Sequence, residues 1–369
     1  MRTRRPHAKQ RRHTSFTHVT RSALTACAAV LGAALLAPAM AAQNDGRPVV
    51  SHGLSYMAGF GPKNYPVVSL LWGEIILCLT VAAIIAILVL AGSLLRRHVA
   101  TDGMESVPLE RSGAGLSFIY IGIGITFVVL VGFAVWNYYV IASVAASRTD
   151  APVTVEITGH QWWWEVRYHS EGSDHPGFVT ANEMHVPVGT PVKVVLHTAD
   201  VIHSFWVPAL SGKMDTIPGQ NNTTWLQADQ PGVYRGQCTE YCGQQHAHMG
   251  FIVTAESQTD FDHWWAQQHG GPNFGDANTS AQQGQAVFMR HCAVCHTVRG
   301  TLAQGRIGPD LSHLMERKTL AAATLPNSIG SLSGWISNPQ HIKPGNYMPT
   351  LTLTAAELSS LRDFLKTLQ

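Results

Sequence analysis

Two long apolar runs dominate the first half of the sequence. Residues 67–95 are almost wholly apolar apart from Glu74, and residues 116–144 carry no charge. Each run is longer than the roughly 20 residues that a helix needs to cross the hydrocarbon layer of a membrane. The connector between them holds three arginines, namely Arg96, Arg97 and Arg111. Because positive charge favours the cytoplasmic side, the pattern predicts a transmembrane hairpin over 67–144 with both ends outside.

The pattern then changes to an alternation of apolar and polar positions. Residues 153–157 and 192–196 alternate in this way, and turns containing Gly and Pro separate such runs. Short alternating runs between turns are typical of a β-sandwich. We therefore predict an all-β domain over 145–268, followed by a linker over 269–279.

Helical signals return over residues 280–369. Ser280 with Gln283 is expected to form a capping box, as is Thr354 with Glu357. The second box opens a stretch with apolar residues on one helical face, at Leu358, Leu361, Phe364, Leu365 and Leu368. These signals predict a small all-α domain at the C-terminal end.

The N-terminal segment has the composition of a secretory signal peptide. Residues 1–21 hold seven basic residues and no acid, an apolar stretch follows over 23–37, and Ala39-Met40-Ala41 precedes polar residues. This order predicts a cleaved signal over 1–41. A transmembrane helix is the alternative, but the apolar stretch is short for one. The segment 42–66 would then lie outside the cytoplasmic membrane, where disulfides are permitted.

Composition adds a contrast between the two predicted soluble domains. Only 13% of all residues are charged and 46% are hydrophobic, which fits a chain that lies partly in lipid. Residues 143–258 carry a net charge of −6 and residues 280–369 one of +4, counted from Lys, Arg, Asp and Glu. We hypothesise that the basic domain docks on the acidic one and that opposite charge steers the encounter. No motif indicates nucleic-acid binding.

A haem attachment motif lies near the start of the C-terminal domain. In Cys292-Ala293-Val294-Cys295-His296, two nearby thiols can form thioethers to a porphyrin, and the next histidine can bind its iron. A thioredoxin-type pair or half of a zinc site are the alternatives, yet neither requires His296. The predicted second axial ligand is Met348, which lies on a loop about 50 residues downstream, with Met315 and His341 left open.

A second cluster of metal-binding residues lies at the end of the β domain. Cys238, Cys242, His246 and Met249 fall within twelve residues, and thiolate with thioether ligands selects copper. Two cysteines are enough to bridge two metal ions, and His203 is the candidate for a second imidazole. A Cys238–Cys242 disulfide and a zinc site are the alternatives.

The segment C-x-E-x-C-x-x-x-H-x-x-M resembles the binuclear copper A loop of cytochrome c oxidase subunit II. That resemblance covers residues 60–268, and residues 280–369 resemble class I cytochrome c. It implies a multidomain membrane protein with a two-helix transmembrane hairpin, an all-β cupredoxin-like sandwich and an all-α cytochrome c domain. The cofactors implied are two copper ions, a haem c and a magnesium ion at the contact with subunit I.

The resemblance also implies a role for each ligand. Cys238 and Cys242 bridge both coppers, and His203 and His246 each bind one copper. Met249 binds one copper and the backbone carbonyl of Glu240 binds the other, while the side chain of Glu240 helps to hold the magnesium ion.

The same resemblance gives a role to the stretch Gly159-His160-Gln161-Trp162-Trp163-Trp164. Trp162 corresponds to the tryptophan through which electrons pass to copper. On a regular strand Trp162 and Trp164 would share one face, and Trp163 and Trp164 would be packing residues. Glu74 and Glu110 are candidates for proton uptake.

The expected function is that of the subunit through which electrons enter a proton-translocating cytochrome c oxidase. The oxygen-reducing site would lie on subunit I, with subunit III as a further partner, membrane lipid around the hairpin and a cytochrome c as donor. The localisation implied is the bacterial inner membrane, with the copper and haem domains in the periplasm. The main alternative is a membrane-tethered electron shuttle or copper carrier that acts without subunit I. The chain resembles two other families less well. Quinol oxidase subunits lack the copper ligands that this chain has, and nitrous oxide reductase needs a further copper domain.

Overall fold

The computed structural model describes residues 51–94, 114–146, 148, 151–169, 177–272 and 279–369. The predicted signal peptide over 1–41 lies outside these residues. So do the connector arginines and Glu110. The described part contains a helical hairpin, a β domain (residues 151–272) and a helical domain (residues 279–369).

Two helices form the hairpin, α1 over Tyr65–Leu94 and α2 over Ala114–Ala145. Their bounds lie within two residues of those predicted. Their large apolar side chains are mostly exposed, and both helices are long and apolar enough to cross a membrane. At Gly73 a Cβ would lie 2.6 Å from the Trp136 ring, so glycine allows the two helices to approach there. The exposed apolar surface indicates an anchor in lipid.

The β domain is a sandwich of two main sheets. One sheet has the order β1-β10-β11-β5 and the other β4-β3-β2-β6-β9, while β7 and β8 form a small ribbon. The strand bounds are β1 Ser51–His52, β2 Val153–His160, β3 Trp163–His169, β4 Val179–Ala181, β5 Glu183–Pro187, β6 Val192–Thr198, β7 His203–Phe205, β8 Met214–Thr216, β9 Asn222–Leu226, β10 Gly232–Gln237 and β11 Gly250–Glu256.

The predicted alternation fills the space between the sheets. Val155 and Ile157 of β2 and Val194 and Leu196 of β6 are fully buried, and the two strands pair in parallel. Because successive strand residues point to opposite faces, these side chains all reach the same core. The alternation over 153–157 and 192–196 therefore predicted the core face correctly.

Helix α3 over Gln258–His269 closes the β domain. Its N-cap is Ser257, whose hydroxyl accepts a hydrogen bond from the backbone N–H of Asp260. The helix continues to His269, so the predicted linker begins one residue later than expected. Trp264 and Trp265 of this helix pack edge-on against Tyr168.

Four helices and a short hairpin build the helical domain. They are α4 Thr279–His291, β12 Thr319–Leu320, β13 Leu325–Pro326, α5 Ile329–Ser337, α6 Pro339–Ile342 and α7 Ala355–Leu365. The capping box of Thr354 with Glu357 is confirmed at the start of α7. The box at Ser280 is wrong, because α4 has already begun there and the Ser280 hydroxyl instead donates to Asp363.

Helices α4 and α7 cross closely in the core of this domain. A Cβ at Gly284 would lie 1.9 Å from the Ser360 carbonyl oxygen. The apolar face predicted for α7 is buried at Leu361, Phe364 and Leu365, and Leu368 follows just beyond the helix. The α4–α7 crossing thus depends on a glycine at its centre.

The helical domain packs directly against the β domain. Ala321, Ala322 and Ala323 have positive φ angles of 53°, 58° and 57°. The carbonyl of Ala322 accepts from the Gly250 N–H at 2.9 Å, and that of Ala323 accepts from Arg235 at 2.9 Å. This turn therefore contacts the strands that flank the copper loop, defined as residues 238–249.

Candidate functional site

The copper loop joins β10 to β11 and is closed at its base by backbone bonding. The Cys238 N–H donates to the Met249 carbonyl at 2.9 Å. Cys238 and Cys242 are buried free thiols whose sulfurs lie 3.8 Å apart. A disulfide would hold them at about 2.05 Å, so the geometry favours two separate sulfur ligands.

His203 of β7 reaches this pair from the neighbouring ribbon. Its Nδ1 lies 4.0 Å from the Cys238 sulfur. The ligand atoms of His203, Cys238 and Cys242 all lie within 4.8 Å of one another. The expected position of the second imidazole is therefore compatible with a metal site.

The other three donors surround the same sulfurs. His246 Nδ1 lies 3.5 Å and Met249 Sδ lies 3.8 Å from the Cys242 sulfur. The Glu240 carbonyl oxygen lies 3.3 Å from the Cys238 sulfur. All six groups named from the sequence thus converge, and a set of thiolate, imidazole and thioether donors suits copper. His248 instead bonds to Gln245 at 2.6 Å.

Asp200 orients His203 from behind. Its carboxylate lies 2.8 Å from His203 Nε2, and it also accepts from the backbone N–H groups of Val201 and Gln161 at 2.7 Å each. Burial alone would lower the pKa of His203, but hydrogen bonds with Asp200 and Cys238 outweigh it and raise that pKa. A carboxylate on the far ring nitrogen leaves Nδ1 free to face the sulfurs.

The two thiols differ in acidity. The hydrogen bond from Cys242, with further bonds from His203 and the backbone, lowers the pKa of Cys238 well below that of a free thiol. The same bond raises the pKa of Cys242. One sulfur of the pair is therefore a ready thiolate, which is the form that binds metals.

The Glu240 side chain points away from the sulfurs. It is 44% exposed, and its carboxylate lies 3.7 Å from the Lys213 ammonium. It therefore contributes to the copper site only through its carbonyl and leaves a carboxylate at the protein surface.

A cavity of about 250 Å³ lies where the helical domain meets the β domain, and we call it the interdomain cavity. Cys292, Cys295 and His296 line it on one side. Met348 lines it as well, whereas Met315 and His341 are not among its lining residues within the described ranges. Met315 instead packs against the core of the helical domain. The cavity thus brings together the four residues expected to hold a haem.

His296 is held in place by the loop that follows it. Its Nδ1 lies 2.8 Å from the Pro309 carbonyl oxygen, which accepts the ring proton. A Cβ at Gly308 would lie 2.7 Å from the His296 ring. Burial lowers the pKa of His296, which favours the neutral imidazole that binds iron through Nε2.

Trp162 contacts both the copper loop and the interdomain cavity. It is only 7% exposed, it lines the interdomain cavity, and its indole N–H donates to the Cys242 carbonyl at 2.9 Å. It lies in the turn between β2 and β3 rather than on a strand, so the expectation that it shares a strand face with Trp164 is not met. Trp164 is fully buried in the sandwich core.

Sequence reasoning missed several residues at this site. Gln161 donates to the Cys242 carbonyl at 2.7 Å and accepts from Tyr347 at 3.0 Å. The Tyr347 ring stacks on Trp162 with centroids 6.1 Å apart. Gln161 adjoins the tryptophan run and Tyr347 adjoins Met348, but no spacing rule pairs residues that are 186 positions apart.

A family profile described as "Cytochrome C oxidase subunit II, periplasmic domain" matches residues 170–256. Residues 170–256 of the chain thus carry the periplasmic domain of a cytochrome c oxidase subunit II. A second profile, "Cytochrome c", matches residues 281–369. The two domains imply a copper A centre and a haem, and they confirm the predicted fold class of an apolar helix pair, a cupredoxin-like β-sandwich and a helical cytochrome c domain.

Named relatives agree with these domain matches. The chain is 39% identical over 222 residues to cytochrome c oxidase subunit 2 of Alkalihalophilus pseudofirmus, covering 60% of this chain and 62% of the relative. It is 28% identical to that of Cereibacter sphaeroides, covering 67% of this chain and 92% of the relative. The chain spans 62–64% of the length of the first three curated relatives.

A solved relative covers the same domain. The periplasmic domain of subunit II of cytochrome oxidase of Bradyrhizobium japonicum is 34% identical to the matching part of this chain. The match covers 32% of this chain and 94% of that one, with a TM-score of 0.30.

Proposed function

We propose that this chain is the subunit through which electrons enter a respiratory cytochrome c oxidase. Electrons would pass from a cytochrome c donor to a haem on the helical domain, then to copper A on the β domain, and then to a haem in subunit I. Subunit I would reduce oxygen to water and pump protons, and subunit III would complete the complex. Oxygen reduction would be an activity of the whole complex, because the cofactors expected in this chain would only pass electrons on.

The residues of the copper loop would hold two coppers. Cys238 and Cys242 would bridge them, His203 and His246 would each bind one, and Met249 and the Glu240 carbonyl would complete the set. Bound there, the copper pair would accept and release one electron at a time. Asp200 would keep the His203 ring fixed, and the buried loop would exclude water from the sulfurs.

The helical domain would hold the haem in the interdomain cavity. Cys292 and Cys295 would attach it covalently, and His296 and Met348 would bind the iron. The hydrogen bond between His296 Nδ1 and the Pro309 carbonyl would set the tautomer of the axial ring. The thioether of Met348 would raise the reduction potential.

The observation that carries this proposal is the position of Trp162. It lines the cavity proposed for the haem and bonds directly to the carbonyl of a proposed copper ligand. A chain that only carried copper would have no use for such a link between two separate cofactor sites.

The exposed carboxylate of Glu240 would help to bind magnesium at the contact with subunit I. The two apolar helices would anchor the chain in the bacterial inner membrane, with both redox domains in the periplasm.

Electron paramagnetic resonance on the copper-loaded full-length chain tests the proposal. A pair of coppers sharing one electron gives a seven-line signal, whereas a single copper gives four lines. We expect seven lines together with a low-spin haem spectrum. A four-line signal, or zinc as the only bound metal, would contradict the binuclear site. If the chain were purified from its native membrane without any subunit I, the alternative of a membrane-tethered electron shuttle would be favoured.

A further inference from the structure

A buried carboxylate of the β domain is hydrogen-bonded to the helical domain. Glu183 begins β5 and is only 4% exposed. Its carboxylate accepts from the backbone N–H of Lys318 at 2.9 Å and from the N–H and hydroxyl of Thr319 at 2.7 Å each. The Asn182 side chain just before it accepts from the Trp164 N–H at 2.9 Å, which fixes the start of the strand.

A buried lysine makes the reciprocal contact. Lys343 of the helical domain is 3% exposed. Its Nζ donates to the Trp162 carbonyl of the β domain at 2.8 Å and to the Ala321 carbonyl of its own domain at 3.3 Å. Lys343 therefore joins Trp162 to the alanine turn (residues 321–323), which contacts the strands that flank the copper loop.

Both contacts lie at the interdomain cavity. Lys343 and Thr319 line it from the helical domain, and Asn182 and Trp162 line it from the β domain. Both contacts thus border the cavity that Trp162 lines, and Lys343 bonds to Trp162 itself.

No close ion pair joins the two domains among the described residues, although Arg317 of the helical domain is attracted electrostatically to Glu183. All the ion pairs recorded among the described residues join groups of the same domain. Glu183 and Lys343 instead bond to neutral N–H, hydroxyl and carbonyl groups. Salt screens exposed charges far more than buried hydrogen-bonded groups, so this contact should resist salt.

We propose that Glu183 and Lys343 are positioning residues that hold the two domains together as one rigid unit. On this view, electrons pass from the helical domain to the copper loop in a fixed geometry and not through repeated encounters of two tethered domains. The inference rests on the proposed function, but it concerns the contact between the domains and not the identity of the cofactors.

The first test follows the amide protons that Glu183 accepts. Hydrogen exchange measured by mass spectrometry on the full-length chain should show the peptide containing Lys318 and Thr319 as protected. In Glu183→Gln, protection should fall about tenfold or more, because a bond to a charged group is lost. The matched control is Glu165→Gln, which removes the same charge from β3. Glu165 pairs with Arg167 of its own strand and not with the helical domain. Equal protection in wild type and Glu183→Gln would overturn the proposal.

The second test follows electron transfer between the two centres after flash photoreduction. In the wild type, the rate should not change with added glycerol or with ionic strength. In Lys343→Leu it should become slower and dependent on viscosity, whereas Lys366→Leu, which changes an exposed lysine that pairs with Asp363, should match the wild type. A wild-type rate that falls with viscosity would overturn the proposal without any variant.

The two tests separate this inference from the function. The copper and haem spectra of each variant report whether both cofactors are bound. Normal spectra with unprotected amides and viscosity-dependent transfer would refute the rigid unit and leave the relay standing. A missing copper signal with protected amides would refute the relay and leave the rigid unit standing.

Discussion

At the scale of single residues, the copper loop depends on a group that binds no metal itself. Asp200 lies three residues before His203 and contacts the ring nitrogen opposite to the one that faces the sulfurs. Groups of this kind fix the tautomer and the orientation of a ligand. They therefore set metal affinity although they lie outside the ligand set.

We predict that Asp200→Asn weakens copper binding by about 10–100-fold. The amide cannot hold the His203 ring as the carboxylate does, so the ring loses its fixed orientation. Titration of the full-length chain with copper, followed by paramagnetic resonance, measures the change. Asp215→Asn is the control, since Asp215 lies on β8, beside β7, and pairs with the exposed Lys213 that directly precedes β8. Unchanged affinity in Asp200→Asn would show that the contact is incidental.

The metal ligands could be predicted from the sequence, whereas the residues that orient the ligands and join the domains could not. Cysteine, histidine and methionine at short spacings carry their chemistry with them, so the donor groups of the copper loop can be named from the residues alone. Asp200, Glu183 and Lys343 are ordinary polar residues in the sequence. Their roles arise only when folding brings them against groups far away in the chain, such as Thr319 at 136 positions from Glu183.

At the scale of elements, the helical domain depends on the close crossing of α4 and α7. Gly284 sits where a side chain would meet the Ser360 carbonyl. The sequence predicted α7 well, because its capping box and apolar face are local signals. The start of α4 was misplaced because Ser280 bonds to Asp363 of α7, and a tertiary contact of this kind has no local signature.

We predict that Gly284→Ala destabilises the helical domain by about 1–3 kcal/mol, since the added methyl group must push the two helices apart. Gly334→Ala in α5 is the matched control, because no atom lies within 4 Å of the added Cβ. That control should gain about 0.5–1 kcal/mol from its better helix propensity. Denaturant unfolding of the full-length chain, monitored by the haem absorbance, measures both. Equal stability of the two variants would contradict the close crossing.

At the scale of the whole molecule, a lysine joins the membrane hairpin to the β domain. Lys63 lies two residues before α1, and its ammonium donates to Thr224 of β9 at 2.5 Å and lies over the Trp225 ring. Burial lowers the pKa of Lys63 to about 8. The contact therefore carries a pH dependence.

The unfolded chain holds the Lys63 proton up to a pKa of about 10.5, whereas the folded chain releases it near 8. Between these values the unfolded state binds more protons, so stability rises with pH. We predict a gain of about 1–3 kcal/mol from pH 8 to 10.5 that is absent in Lys63→Met. Thermal unfolding in detergent, followed by near-ultraviolet circular dichroism, measures it, with Lys193→Met as the control. An identical pH profile for wild type and Lys63→Met would refute the assignment.

The turn of Ala321, Ala322 and Ala323 has a consequence for how the protein can vary. It meets the β domain through carbonyl oxygens, which every amino acid carries. Ala322 and Ala323 are nevertheless buried, and all three residues have positive φ. A larger side chain would crowd the contact, a β-branched one would strain the backbone, and proline, whose ring holds φ near −65°, would break the turn. Natural variation at this junction should therefore be restricted to glycine and other small residues, with a fixed loop length.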